Sequence, residues 1–149
     1  MPALRGRAVI QVRFVVSGDP VPQPRHRAGK NQKTGKIWMY MPKSDPSIAA
    51  KAEGAYRAKE ALPEVWPMDA AMSMDLKFVF SSPKKSGAFH VSKPDADNCV
   101  KLCLDFCTGI VYNDDCQVCR LTASKRYVTV GEKPHTQVFV TVLGGEDAD

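Results

Sequence analysis

The chain has 149 residues, of which 44% are hydrophobic and 25% are charged, and a formal net charge of +5 at pH 7. This size and composition predict a single globular domain over residues 1–149. The sequence has no run of 18 apolar residues that could span a membrane, and arginines interrupt the apolar N-terminus, which argues against a secretory signal. Five cysteines are an odd number, so we expect reduced thiols and a cytoplasmic protein.

Basic residues are concentrated in the first third of the chain. Residues 1–44 contain nine lysines and arginines and a single acidic residue, Asp19, whereas residues 45–149 carry a net charge of −3. Such asymmetry is typical of a protein that attracts a polyanion such as nucleic acid. A solvated basic surface without a partner would give the same composition, so both interpretations stay open at this point.

Taken in chain order, the first half of the sequence predicts two strands and one helix. β-Branched residues predict a strand over 8–16, which a Ser-Gly-Asp-Pro turn ends. Prolines at positions 20, 22 and 24 exclude regular structure before the basic residues at 25–27. A short strand over 37–41 would leave 29–36 as a hairpin tip. A helix is then predicted to begin with Asp45 or Ser47 as its N-cap and to continue to about Ala61.

The second half predicts three strands and a second helix. Apolar residues alternate over 72–80, as in a half-buried strand. A helix is predicted over 97–108, with Gly109 as the residue that ends it, and two more strands over 118–128 and 137–143. These elements predict an α+β fold in which a mixed, largely antiparallel sheet packs against two main helices. Residues 1–7 form a basic extension, and residues 144–149 are expected to be a disordered acidic tail.

Four aspartates form two close pairs on either side of the second predicted helix: Asp95 with Asp97, and Asp114 with Asp115. Two carboxylates about 4 Å apart repel by about 4 kcal/mol at an effective dielectric constant of 20, so a fold that gathers them needs a cation. A hard ion such as Mg²⁺ or Mn²⁺ suits carboxylate ligands and points to phosphodiester chemistry. Lys101 lies one helical turn after Asp97, where it could contact a phosphate. Alternatively, each pair is structural, because aspartates also cap helices and form turns.

The aspartate region resembles the RusA family of Holliday junction resolvases. The similarity covers residues 8–143, and upstream it includes the turn and prolines of 18–22, the basic segment 25–27 and the strand over 72–80 with the proline that follows it. Cysteines at positions 99, 103 and 107 depart from the pattern, in which leucine or alanine is expected, but no catalytic residue is missing. The most specific part of the resemblance consists of Lys93-Pro94-Asp95-Ala96-Asp97-Asn98, Lys101, Asp105, Gly109, Tyr112, Asp114-Asp115, Gln117-Val118 and Lys125.

The resemblance implies a homodimeric endonuclease that needs Mg²⁺, with Mn²⁺ as a substitute, and cuts four-way DNA junctions by paired, symmetrical nicks. It also implies a setting in DNA recombination and repair of phages and bacteria. By the same resemblance, the catalytic residues are Asp95, Asp97, Lys101 and Asp115, and the metal ligands are Asp95, Asp97, Asp115 and Asp114. The candidate phosphate contacts, chosen for their charge, are Arg25, Arg27, Lys30, Lys84 and Lys85.

Several features admit other interpretations. A non-catalytic nucleic-acid-binding module would need only the basic segment, and a nuclease specific for flaps, forks or RNA would use the same aspartates. The three helix cysteines are expected to fill the core. Cys116 and Cys119 would point to opposite faces of one strand, which disfavours a zinc or iron–sulfur site. Trp38 and Tyr40 are expected in the core, although either could wedge between bases at a junction, and the three histidines are expected at the surface.

Overall fold

The computed structural model describes residues 9–24, 27–40, 44–82 and 86–144, and within them it shows an α+β fold, as the sequence predicts. The predicted elements are confirmed, with ends that differ by a few residues. None of the helices in these ranges is long and apolar enough to cross a membrane. In chain order the elements are β1 (Gln11–Ser17), β2 (Arg27–Lys30), β3 (Ile37–Tyr40), α1 (Pro46–Ala61), β4 (Ala71–Phe80), α2 (Ala96–Cys107), a 3-10 turn (Asp115–Gln117), β5 (Val118–Tyr127) and β6 (His135–Leu143).

The main sheet has the strand order β1-β6-β4-β5 and is mixed and mostly antiparallel, also as predicted. β6 pairs antiparallel with both β1 and β4, whereas β4 and β5 are parallel. Parallel neighbours need a crossover connection, and α2 supplies it here. Because α2 returns the chain from the end of β4 to the start of β5, it runs antiparallel to both strands. This direction decides where the two ends of α2, and hence the aspartates, lie.

The core lies between the main sheet and the two helices. β4 is a central strand, and its alternating apolar residues Met72, Met74, Leu76, Phe78 and Phe80 are all buried. The three cysteines of α2 fill core positions, as expected, whereas the two later cysteines are exposed. The buried face of α2 consists of Cys99, Val100, Leu102, Cys103, Phe106 and Cys107.

Helix α1 covers the same core and is fixed at both its start and its middle. The Asp45 side chain accepts a hydrogen bond from the Ser47 N–H at 2.9 Å, and Pro46 occupies the first turn, where its missing N–H costs nothing. At Gly54 the helix passes so close to α2 that a Cβ atom would lie 2.4 Å from the ring of Phe106. A glycine inside a helix costs about 1 kcal/mol relative to alanine, and here it permits the close approach of the two helices.

Three expectations about individual side chains are wrong. Trp38 is 49% exposed rather than in the core, because β2 and β3 form a separate two-stranded sheet; the Tyr40 side chain lies outside the described residues. His90 is buried, and its ring stacks on that of Phe80 with centroids 3.8 Å apart, because its segment lies against the end of β5 through an isolated β-bridge. Cys116 belongs to the 3-10 turn before β5, so the argument from opposite strand faces does not apply to it.

Candidate active site

The first acidic pair lies at the start of α2. Asp95 occupies the N-cap position with an extended backbone, yet within the described part of the chain its side chain makes no capping hydrogen bond. Instead, its two oxygens lie 3.0 and 3.1 Å from the ammonium nitrogen of Lys93. Asp97 is in the first helical turn and is exposed. The partial positive charge of a helix N-terminus favours both carboxylates there. The alternative that Asp95 serves only to cap the helix is therefore not supported by the structure.

Lys125, on β5, holds the loop that carries Asp95. Its ammonium group donates hydrogen bonds to the carbonyl oxygens of Ser92 at 2.9 Å and Pro94 at 2.6 Å. In the sequence Lys125 is part of the family resemblance but has no predicted role, because it lies 30 residues beyond Asp95 and no local spacing connects them. The parallel pairing of β4 and β5, which places Lys125 opposite Phe78, brings it to this end of α2.

The exposed face of α2 carries Lys101 and Asp105 beyond Asp97, as the helical spacing predicts. Asp105 pairs with Lys51 of α1, with 3.3 Å between the charged atoms. Lys101 makes no ion pair with any described residue, so its ammonium group is available at the surface of the helix. A free cation one turn from Asp97 is suited to meet a phosphate oxygen.

The second acidic pair lies in the 3-10 turn between α2 and β5. Asp114 caps this turn by accepting a hydrogen bond from the Cys116 N–H at 3.1 Å. The side-chain oxygen of Gln117 accepts from the N–H groups of Asn113 and Asp114, both at 2.9 Å. Its side-chain nitrogen donates to the carbonyl oxygens of residues 68 and 70, at 2.7 and 2.9 Å, just before β4. Gln117 therefore fastens the acidic turn to the segment that leads into β4, a role that the sequence did not reveal.

The two carboxylates of this turn differ in their electrostatics. The backbone N–H of Cys116 and a hydrogen bond with Asp115 lower the pKa of Asp114. The hydrogen bond with Asp114 is the largest cause that raises the pKa of Asp115, and the negative charges of Asp114 and Asp105 raise it further. Asp114 is thus the anchored carboxylate of the pair. Asp115 is the one whose negative charge is poorly compensated, and a cation would relieve that imbalance.

The two acidic pairs lie at opposite ends of α2. The first is next to Lys125 near the end of β5, and the second is bonded through Gln117 to the segment that precedes β4. The helix between them has 12 residues, and eleven steps at the α-helical rise amount to about 16 Å. Among the described residues no group of three histidine, cysteine, aspartate or glutamate side chains is close enough to hold a metal ion. One chain therefore brings together each pair but not all four predicted ligands.

A proline-rich loop borders the first acidic pair. The backbone N–H of Gln23 donates to the carbonyl oxygen of Asn98 at 2.8 Å, which fastens this loop to the first turn of α2. Together they border an open groove of about 510 Å³, lined by Pro20, Pro22, Gln23, Pro24, Lys93, Pro94, Asp95 and Asn98. The contact therefore holds the proline-rich loop, which precedes the basic segment in sequence, beside the acidic start of α2.

The candidate phosphate contacts are only partly described. Arg25, Lys84 and Lys85 lie outside the described residues, as do His26, residues 1–8 and the last five residues of the expected acidic tail. Arg27 is the first residue of β2. Lys30 ends β2 and is exposed. The DNA-binding roles of these five residues stay predictions.

Comparisons with known proteins bear directly on this region. Residues 17–141 match the family model described as Endodeoxyribonuclease RusA, and the match includes every candidate catalytic residue. The chain is also similar to the Uncharacterized protein YqaN of Bacillus subtilis (strain 168). The identity is 31% over 142 residues, which cover 87% of this chain and 94% of that protein.

Proposed function

The chain belongs to the RusA family of endodeoxyribonucleases, and on this premise we propose that it resolves four-way DNA junctions by paired, symmetrical nicks during recombination and repair. The single observation that carries the proposal is the exposed start of α2, where Asp95 does not cap the helix and Asp97 and Lys101 share one exposed face. We also propose that the protein acts in the cytoplasm, where its DNA substrate would be found and the five free thiols would stay reduced.

We further propose Mg²⁺ as the cofactor, with ligands from two copies of the chain. Carboxylate oxygens are the ligands that Mg²⁺ prefers, so the donor type fits. Among the described residues of one chain, however, no three acidic, histidine or cysteine side chains lie close enough together to hold an ion. A homodimer with two-fold symmetry would place the acidic turn of one copy, with Asp114 and Asp115, opposite Asp95 and Asp97 of the other. A divalent ion held by these carboxylates would supply the Lewis-acid chemistry that phosphodiester hydrolysis needs.

Within such a site the chain's own residues have separable tasks. Lys125 and Gln117 hold the two acidic segments in place through hydrogen bonds to backbone atoms. Lys101 donates to the scissile phosphate and offsets the charge that grows on it in the transition state. Two-fold symmetry gives two such sites per dimer, one for each of two opposing strands of a four-way junction.

The first experiment compares cleavage of a labelled four-way junction and of a matched linear duplex, with Mg²⁺ and with a chelator. Asp97→Asn should abolish nicking and leave junction binding equal or tighter, because it removes charge without changing shape. Glu64→Gln, which neutralises an exposed carboxylate in the loop after α1, is the matched control and should nick normally. Binding without Mg²⁺-dependent cutting would refute the proposed activity and favour a binding module. Cutting of flaps, forks or RNA in preference to junctions would correct the substrate.

A mixing experiment tests whether each site draws on two copies. Asp97→Asn and Asp115→Asn are each expected to be inactive alone. In a mixed dimer, one site would contain both changes and the other would contain neither. Co-refolding the two variants should then restore roughly a quarter of the wild-type nicking sites, because half of the dimers are mixed. If every site were built within one chain, each would carry one change and the mixture would remain inactive.

A further inference from the structure

The β2–β3 hairpin is a surface feature that the proposed chemistry does not use. It is a two-stranded sheet of its own, and every residue from Lys30 to Met39 is exposed. Its tip is ordered by the Asn31 side chain, which accepts hydrogen bonds from the N–H groups of Lys33 at 2.9 Å and Thr34 at 3.2 Å. The hairpin is therefore a defined structure that presents all of these side chains to solvent.

Trp38 is held flat against this hairpin. It lies directly opposite Gly29 in the strand pairing, and a Cβ atom at position 29 would be 2.5 Å from the indole ring. Glycine thus lets one side of the indole cover the neighbouring backbone while the residue stays 49% exposed. An aromatic ring supported on one side and open on the other is a stacking platform.

The charges around this ring indicate what would stack on it. The segment 27–40 contains no acidic residue, and Lys30, Lys33 and Lys36 surround the tip. A row of cations beside an exposed aromatic ring is complementary to a nucleic-acid strand, in which phosphates alternate with flat bases. Ile37 and Met39 extend from the opposite face of β3, because neighbouring residues in a strand point to opposite sides.

We propose that Trp38 stacks on a nucleobase left unpaired at the branch of the DNA substrate, while the three lysines bind the adjoining phosphates. This inference rests on the proposed function, because it names what that substrate offers to the hairpin. Inside a continuous duplex both faces of a base are already stacked. At a branch, bases can open and expose a face to an aromatic side chain. Trp38 would therefore help the protein to distinguish branched from linear DNA.

The test places the fluorescent base 2-aminopurine at the branch of a four-way junction, or in the middle of one arm, with chelator present so that the DNA stays intact. Wild-type protein should change the emission at the branch but not in the arm. Trp38→Ala should lose this change and bind the junction about ten- to a hundred-fold more weakly, while its affinity for linear duplex changes less than about two-fold. Met39→Ala, on the opposite face, is the matched control and should behave as wild type.

A second readout is tryptophan fluorescence, measured with a substitution that keeps an aromatic ring at position 38. The chain has two tryptophans, so DNA-induced quenching that is present in wild type and absent in Trp38→Phe is assigned to Trp38. Undiminished quenching in that variant, or unchanged junction affinity in Trp38→Ala, would overturn the proposal. So would a shift of Trp38→Ala from dimer to monomer in sedimentation, since the hairpin would then be a subunit contact. If wild-type protein neither binds nor cuts junctions, both the stacking proposal and the proposed function are refuted. If Trp38→Ala changes the 2-aminopurine emission at the branch as wild type does, only the stacking role of Trp38 is refuted.

Discussion

Replacing Gln117 tests how the second acidic pair is held in place. Gln117→Leu removes four hydrogen bonds, of which the two to the carbonyl oxygens of Met68 and Ala70 are partly buried and the two from Asn113 and Asp114 are exposed. A hydrogen bond contributes about 1 kcal/mol net, and water can replace the exposed pair. We therefore expect the free energy of unfolding to fall by about 2 kcal/mol.

Urea denaturation followed by circular dichroism measures this loss. With a slope of about 2 kcal/mol per molar urea, the midpoint should fall by about 1 M. Gln137→Leu makes the same chemical change on the half-exposed side of β6 and should alter the stability by no more than about 0.5 kcal/mol. A Gln117→Leu midpoint within about 0.2 M of wild type would show that other contacts hold the acidic turn, and the reasoning from these four bonds would fail. Under the proposed mechanism the variant should also nick junctions more slowly, since Asp115 loses its support.

Two further predictions concern packing and pH. Gly54→Ala should lower the free energy of unfolding by about 1–2 kcal/mol, because the clash of a Cβ atom with the Phe106 ring outweighs the better helix propensity of alanine. A rise in the midpoint of urea denaturation would contradict this prediction. Hydrogen bonds from the Arg126 guanidinium lower the pKa of Glu132 from its ordinary 4.5 to about 2, so the stabilisation it provides is present above pH 4.5 and is lost as the pH falls toward 2. The free energy of unfolding should accordingly be higher for wild type than for Glu132→Gln at pH 7, and this difference should become smaller at pH 3. A difference that stays constant with pH would argue against this ion pair.

The elements with strong periodicity could be predicted from the sequence. The alternation along β4 depends only on local side-chain polarity, and all five residues predicted on the apolar face are buried, although Val79 on the other face is buried as well. The second helix could be located because Pro94 and Gly109 mark its limits, and Gly109 indeed has a positive φ of 81°. The short apolar strand β3 gave no such signal. Its four residues suit a core strand and an exposed hairpin equally well, so the expectation that Trp38 is buried was wrong.

The candidate site was predictable in its parts rather than in its assembly. Sequence spacing pairs Asp95 with Asp97, and Asp114 with Asp115, because neighbours in the chain stay neighbours in space. Whether the two pairs meet depends on the direction of α2, which follows from the parallel pairing of β4 with β5. That pairing joins residues almost fifty positions apart and leaves no mark in any local pattern. The same holds for Lys125, whose contacts with the Asp95 loop arise only from the sheet.

The division of the cysteines into three buried and two exposed residues makes the second acidic turn selectively addressable by thiol chemistry. Burial raises the pKa of Cys99 to about 11 and also raises the pKa values of Cys103 and Cys107, so all three thiols are neutral and shielded from alkylating reagents. Cys116 lies directly beside Asp115 at the surface, and Cys119 follows at the start of β5. A maleimide dye or spin label can therefore be attached within one residue of a proposed metal ligand without changing the sequence. Labels at both exposed cysteines of each copy would give a set of distances that reports how two copies of the chain face each other.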